Sequence, residues 1–189
     1  LDSLFDEYVD EVLEQNPKFI AVSVFSHNSI NATNLFLEKI RLKTSAKIII
    51  GGQGIISRLD DKETYAETLL EKGLIDYFLS GEAETSFPAV LQGTTKGPGI
   101  NNFAWQQLEK LDDTPIPNYQ HYKLDRYHHL ESGKSIWVNG SRGCVRRCDF
   151  CDIGKLWKKF RFRSGESLFN EVHAQMTDLK IDNFQFADA

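Results

Sequence analysis

Three short, almost unbroken apolar runs, alternating with stretches of helical periodicity, limit this chain more than any other feature. Phe19-Ile20-Ala21-Val22-Ser23-Val24-Phe25, Lys47-Ile48-Ile49-Ile50 and Ile75-Asp76-Tyr77-Phe78-Leu79 are rich in β-branched and aromatic side chains. Runs of this length and composition read as strands covered on both faces, as in a parallel sheet. Ahead of them, Leu4, Phe5, Tyr8, Val9, Val12 and Leu13 recur at helical spacing and stop at Asn16-Pro17. Ala32, Leu35, Phe36 and Ile40 mark a second helix, and Tyr65, Ala66, Leu69 and Leu70 a third that ends near Gly73. Phe87, Val90 and Leu91 mark a fourth, with Pro88 tolerated in its first turn. The order predicts an α/β, doubly wound parallel sheet over about residues 1–95, with right-handed crossovers. Three strands are few for such a sheet and the chain opens on a helix, so a leading strand is expected to precede Leu1. Gly51-Gly52 falls where the second strand meets its helix, at the carboxyl ends of the strands where such sheets bind ligands.

Periodicity then lapses. Residues 96–130, with Gly97-Pro98-Gly99, Asp112-Asp113-Thr114-Pro115-Ile116-Pro117 and a Tyr/His-rich end, read as a linker. Ser135–Asn139 is a predicted strand, Leu168, Val172, Met176 and Leu179 a helix stripe with Ser164 as N-cap, and Asn183–Ala187 a second strand. Residues 131–189 thus form one β-loop-α-β unit carrying a long loop, Gly140–Arg163. At this size the unit is too small to close a barrel core, so little turnover is expected of the chain alone. A start on Leu1, a single methionine at Met176 and an end inside a strand predict that both flanks of a longer protein lie outside this sequence.

No run approaches the ~18 apolar residues of a membrane span, and the acidic N-terminus is unlike a signal peptide. The chain has three cysteines, all between Cys144 and Cys151. An odd, clustered set argues against a secreted disulfide scaffold and for a reduced, cytoplasmic protein whose thiols serve a purpose. Their spacing is Cys-x3-Cys-x2-Cys, directly after a predicted strand. Structural zinc and an ordinary 4Fe–4S cluster each take about four protein ligands. Three thiolates leave one iron open to a substrate or cofactor, and Arg142, Arg146 and Arg147 favour the thiolate form. A Cys3His zinc site is the alternative, but His121, His128, His129 and His173 lack zinc-finger spacing to the cysteines.

The loop resembles the signature of the radical S-adenosylmethionine (SAM) superfamily. The resemblance implies that Cys144, Cys148 and Cys151 hold three irons of a 4Fe–4S cluster and that SAM chelates the fourth. It implies that Phe150 lies against the SAM adenine, and that one electron, from a donor such as flavodoxin or ferredoxin, cleaves SAM to start radical chemistry on a small-molecule or peptide substrate. Ser23-Val24-Phe25, Gly51-Gly52 and Gly81-Glu82-Ala83-Glu84 together resemble the cobalamin-binding domain that precedes the barrel in one radical SAM class. Leu111–Pro117 resembles that class's linker. Arg161-Phe162-Arg163-Ser164 with Glu171-Val172 resembles the start of its first barrel helix, so residues 131–189 read as the first βαβ part of a radical SAM partial TIM barrel.

Carried over, Ser23 meets the nucleotide end of cobalamin, Gly51 and Gly52 line its tail pocket, and Asp188 lies near SAM. Phe25 replaces the usual leucine, and no Asp-x-His-x-x-Gly is present to ligate cobalt. Fold likeness does not fix a ligand, so a non-catalytic zinc- or cobalamin-binding module stays as the alternative. Between Arg142 and Arg163, eight basic and two acidic residues give +6 in a chain of net −5. That stretch reads as a solvated loop. Its alternative is the RNA footprint of an RNA-modifying radical SAM enzyme, with Trp157, Phe160 and Phe162 stacking on bases.

Overall fold

A computed structural model describes residues 2–57, 63–120, 122, 135–146, 148–151 and 153–188, except for the side chains of residues 154 and 155. The chain divides into two compact units, Leu1–Gln107 and Leu108–Ala189.

The first unit runs α1 (Asp2–Glu14), β1 (Phe19–Ser23), α2 (Ile30–Arg41), β2 (Lys47–Gly51), α3 (Tyr65–Glu71), β3 (Tyr77–Phe78) and α4 (Ser86–Leu91), with single 3-10 turns at His27–Ser29 and Gln53–Ile56. Its strands form one parallel sheet in the order β1-β2-β3, with Ile20 opposite Ile48 and Ile50 opposite Phe78. Side chains alternate across a strand. Ile20, Ile48 and Ile50 therefore join Phe78 in one buried cluster with Val9 of α1, Leu37 and Ile40 of α2, and Tyr65, Ala66 and Leu69 of α3. Ile49, on the opposite face, packs with Leu79, Val90 and Ile100. Each such aliphatic side chain contributes about 1.5–3 kcal/mol by leaving water.

The expectation that the strands are covered on both faces holds for β2 and fails for β1. Ala21 and Ser23 are exposed: α4, on that face, is six residues long, and its buried Val90 packs on β2 and the end of β3, where of β1 only the half-buried Phe19 joins them among the described residues. Phe25, just past β1, is 79% exposed.

Polar groups fasten the ends of the elements. Thr64 caps α3 reciprocally: its hydroxyl accepts from the Glu67 amide, and the Glu67 carboxylate accepts from the Thr64 amide. Asp76 accepts from Arg41, Lys47 and the Ile48 amide, joining the end of α2 to β2. Burial pushes its carboxyl up, but the hydrogen bonds from Lys47, Ile48 and Arg41 outweigh that and hold it below the usual carboxylate range. Residues 97–106, read from the sequence as linker, lie along β3. Leu79 bridges Ile100, Gly81 bridges Gln106, and the Asn101 side chain accepts from the Phe78 amide. They cover what would otherwise be an open edge.

The second unit contains β4 (Ser135–Val138), β5 (Ser141–Arg142), α5 (Ile153–Leu156), β6 (Arg161–Phe162), α6 (Gly165–Leu179) and β7 (Asn183–Phe186), with a 3-10 turn at Leu111–Asp113. β4 and β7 pair in parallel, Ile136 opposite Phe184 and Val138 opposite Phe186. Ile136, Val138 and Ile181 form the core with Leu168, Val172, Leu179 and Tyr119. The Ser164 hydroxyl caps α6 by accepting from the Ser167 amide.

The predicted stripe on α6 needs one correction. Met176 is 47% exposed, whereas Glu171 and Gln175 are buried. Residues 112–119, also read as linker, supply partners to α6. The Gln175 amide donates to the Pro117 carbonyl, the Asp112 carboxylate accepts from the Ser164 amide, and Tyr119 enters the core. Polar side chains are tolerated there because their polar atoms are met.

Candidate cofactor site

The cysteine loop leaves and rejoins the fold at one place. β5 follows β4 after two residues and pairs antiparallel with β6, Ser141 opposite Phe162 and Arg142 opposite Arg161. Gly143 sits next, at φ +89°, where a Cβ would lie 2.6 Å from the Lys159 carbonyl oxygen. Only glycine lets the outgoing and returning backbones approach this closely.

Beyond this neck, Cys144 and Cys151 are half-buried, Cys148 is exposed, and all three are free thiols. The Cys151 amide donates to the Cys148 carbonyl at 3.0 Å, so these two residues bracket one turn. The Arg146 amide donates to Cys144 Sγ at 3.4 Å. Phe150 is 91% exposed and Val145 76%. Among the described residues, no three His, Cys, Asp or Glu side chains are gathered closely enough to hold a metal. The sulfurs share one loop but do not meet at one point. The donor set itself fits an iron–sulfur cluster: three free thiols, none of them buried, on one loop whose ends are joined by β5 and β6.

The basic stretch is less open than its sequence implies. Arg161 and Arg163 are buried. Arg161 lies over the Trp157 ring and donates to the Leu108 carbonyl. Arg163 pairs with the buried Glu171 and donates to the Ser167 hydroxyl and carbonyl. Lys159 pairs with Glu109 at 3.0 Å. Neither a wholly solvated loop nor a continuous anion footprint describes these groups, because part of the charge is consumed inside the unit. Arg147, Asp152, His121, His128 and His129 lie outside the described residues, as does the Lys155 side chain. His173 is on α6, stacked on Phe169.

Asp188 follows β7. Its Oδ1 accepts from the Gly140 amide at 2.9 Å, the Ser141 amide at 2.6 Å and the Ser141 hydroxyl at 3.1 Å. The sequence marks this acid as a site residue but gives no sign of these partners. Nor does it reveal the pairing of Arg163 with Glu171, because Arg163 precedes the N-cap of α6 and shares no regular element with Glu171.

In the first unit, Ser23, Gly51, Gly52, Leu79, Gly81 and Phe87 help line a mainly apolar cleft of about 280 Å³ at the carboxyl end of the sheet. Gly52 has φ +93°, and a Cβ there would lie 2.6 Å from the Val24 carbonyl oxygen. The cleft therefore brings together the three residues of this unit singled out by sequence. The exposed edge of β1 forms one of its walls.

No family model matches the chain. It is 22% identical to the cytidylyl-2-hydroxyethylphosphonate methyltransferase of Streptomyces wedmorensis, over 97% of this chain and 42% of that protein. It is 26% identical to a putative methylthiotransferase of Methanocaldococcus jannaschii, over 88% of this chain and 37% of that one. It is 20% identical to the anaerobic magnesium-protoporphyrin IX monomethyl ester cyclase of Cereibacter sphaeroides, over 100% of this chain and 34% of that one. The chain thus spans less than half the length of these curated relatives.

Among solved structures it is similar to the radical SAM methyltransferase TsrM of Kitasatospora setae, determined with tryptophan substrate and a SAM analogue bound. The TM-score is 0.63 and the identity 17%, over 100% of this chain and 39% of TsrM. The fold is that of the radical SAM methyltransferase over this span. Among the described residues no helix is long and apolar enough to cross a membrane.

Proposed function

We propose that the protein containing this chain is a radical SAM enzyme, with methyl transfer, cobalamin-dependent, as its reaction class. The observation that carries this is the set of three free thiols in Cys-x3-Cys-x2-Cys order on one loop closed by β5 and β6. Cys144, Cys148 and Cys151 would hold a 4Fe–4S cluster, and the exposed Phe150 would stack on the adenine of SAM. When bound, the cluster supplies the electron that cleaves SAM reductively. The chain's own contribution is placement. The neck at Gly143 brings the two ends of the loop together, and the three sulfurs would close round the cluster from that one loop. Ser23, Gly51 and Gly52 would receive the nucleotide tail of cobalamin in the mainly apolar cleft at the carboxyl end of the sheet. A flavodoxin or ferredoxin would supply the electron. The transferase names of the relatives favour methyl transfer over cyclisation.

The test is anaerobic reconstitution of the full-length protein with iron and sulfide. It is followed by EPR, an assay for 5′-deoxyadenosine, and spectroscopy of added cobalamin. The expected result is a cluster that requires all three cysteines and SAM cleavage that follows it. Tight zinc with no iron uptake would overturn the reading in favour of a non-catalytic binding module.

A further inference from the structure

The Asn139–Ser141 turn, where β4 gives way to the cysteine loop, is held from two sides by residues distant in sequence. On one side Asp188, just past β7, receives the Gly140 and Ser141 amides on Oδ1. On the other, the Arg163 amide donates to the Gly140 carbonyl at 2.8 Å, and Arg163 Nη1 reaches the Asn139 carbonyl at 3.4 Å. Arg163 is itself set by Glu171 and Ser167 of α6. Both polar groups of the Gly140 backbone are thus taken by positioned partners, and both hydrogen bonds lie at the root of the loop.

Gly140 shows the same constraint independently. Its backbone is not in the left-handed region, so conformation alone does not demand glycine. What a Cβ would meet is Asp188, with Oδ2 at 2.8 Å. The glycine is there to admit the carboxylate. Three acceptor contacts on one oxygen, two of them from consecutive amides, form a small anion-holding nest, and its occupant is a side chain of the chain itself.

We propose that Asp188 is a positioning residue that, opposite Arg163, clamps the Asn139–Ser141 turn and so sets the direction in which Cys144–Cys151 leaves the sheet. This differs from a role as a SAM ligand. The clamp rests on geometry alone; its consequence for a cluster rests on the function proposed above. A carboxylate that recognises a cationic ligand needs its charge, whereas the clamp needs only an acceptor at Oδ1, which asparagine retains.

Two measurements on the full-length protein separate these cases. The first is amide hydrogen exchange without added metal. Asp188→Ala should speed exchange at Gly140 and Ser141 about tenfold or more, as expected for losing a charge-assisted hydrogen bond. Gly140→Ala should speed exchange at Ser141 similarly by displacing the carboxylate, and Asp188→Asn should keep most of the protection. The second is made after reconstitution: the rate of iron loss to a chelator, the EPR line shape and SAM affinity. Asp188→Ala and Gly140→Ala should lose iron several-fold faster with an altered line shape, and Asp188→Asn should resemble the parent in both. Unchanged exchange in Asp188→Ala and Gly140→Ala would overturn the clamp. So would equal loss of SAM affinity in Asp188→Ala and Asp188→Asn with iron retention intact. A parent protein that takes up no iron defeats the cluster assignment, and the exchange result still decides the clamp.

Discussion

Replacing Glu171 with alanine should destabilise the second unit by about 3 kcal/mol, at the lower end of the range for breaking a buried ion pair. The side chains of Arg163 and Glu171 are only 6% and 4% exposed, so neither charge can recover hydration once its partner is gone. The lower end applies because Arg163 keeps the Ser167 hydroxyl and carbonyl as acceptors. Glu171→Gln should cost less, since an acceptor remains. Arg163→Met combined with Glu171→Leu should cost much less than the two single changes added together, because no charge is left stranded. The double-mutant cycle should therefore show a coupling of about 2 kcal/mol or more. The assay is urea unfolding followed through the protection of α6 amides, which reports on this unit and not on the other. A cost below about 1 kcal/mol for Glu171→Ala would match an exposed pair. It would refute the claim that this contact is buried and anchors α6 to the root of the cysteine loop.

Other consequences can be checked in the first unit. Asp76→Asn should cost about 1–3 kcal/mol at pH 7, from weakened charge-assisted hydrogen bonds. Because the folded-state pKa of Asp76 lies below its unfolded value, that contribution is present above about pH 4 and is lost as pH falls through the folded-state value. Paired acid titrations of the two proteins should converge; a gap that widens on acidification would contradict this. Burial pushes the Tyr65 phenol up to about 12. Its stabilising effect is complete below about pH 10 and is lost as pH rises towards 12, so absorbance titration of Tyr65→Phe should lack a tyrosine that ionises at about pH 12 in the parent. Gly81→Ala should cost more than about 2 kcal/mol, because φ is +81° and a Cβ would lie 2.4 Å from the Gln106 carbonyl oxygen. Gly73→Ala, at φ +67° with open space around it, should cost only about 1 kcal/mol. Equal thermal shifts for the two would remove the close contact between residue 81 and residues 97–106.

Local pattern alone determined much of this protein. The alternation of Phe19–Phe25, Lys47–Ile50 and Ile75–Leu79 with helical stripes was sufficient for a parallel α/β sheet, because side-chain period and strand burial are properties of contiguous residues. The spacing of Cys144, Cys148 and Cys151 pointed to iron–sulfur chemistry because ligand number is a local property too. Tertiary structure decided which polar groups meet across long stretches of chain. Asp188 reaches Gly140 and Ser141, and Gln175 reaches Pro117, across nearly fifty residues or more. Arg163 became half of an internal pair with Glu171 instead of the last cation of a charge run. Residues 97–106 became the edge cover of a sheet. Such contacts follow no periodicity. They exist because a buried donor or acceptor must find a partner, and only the packed fold determines which one lies within reach.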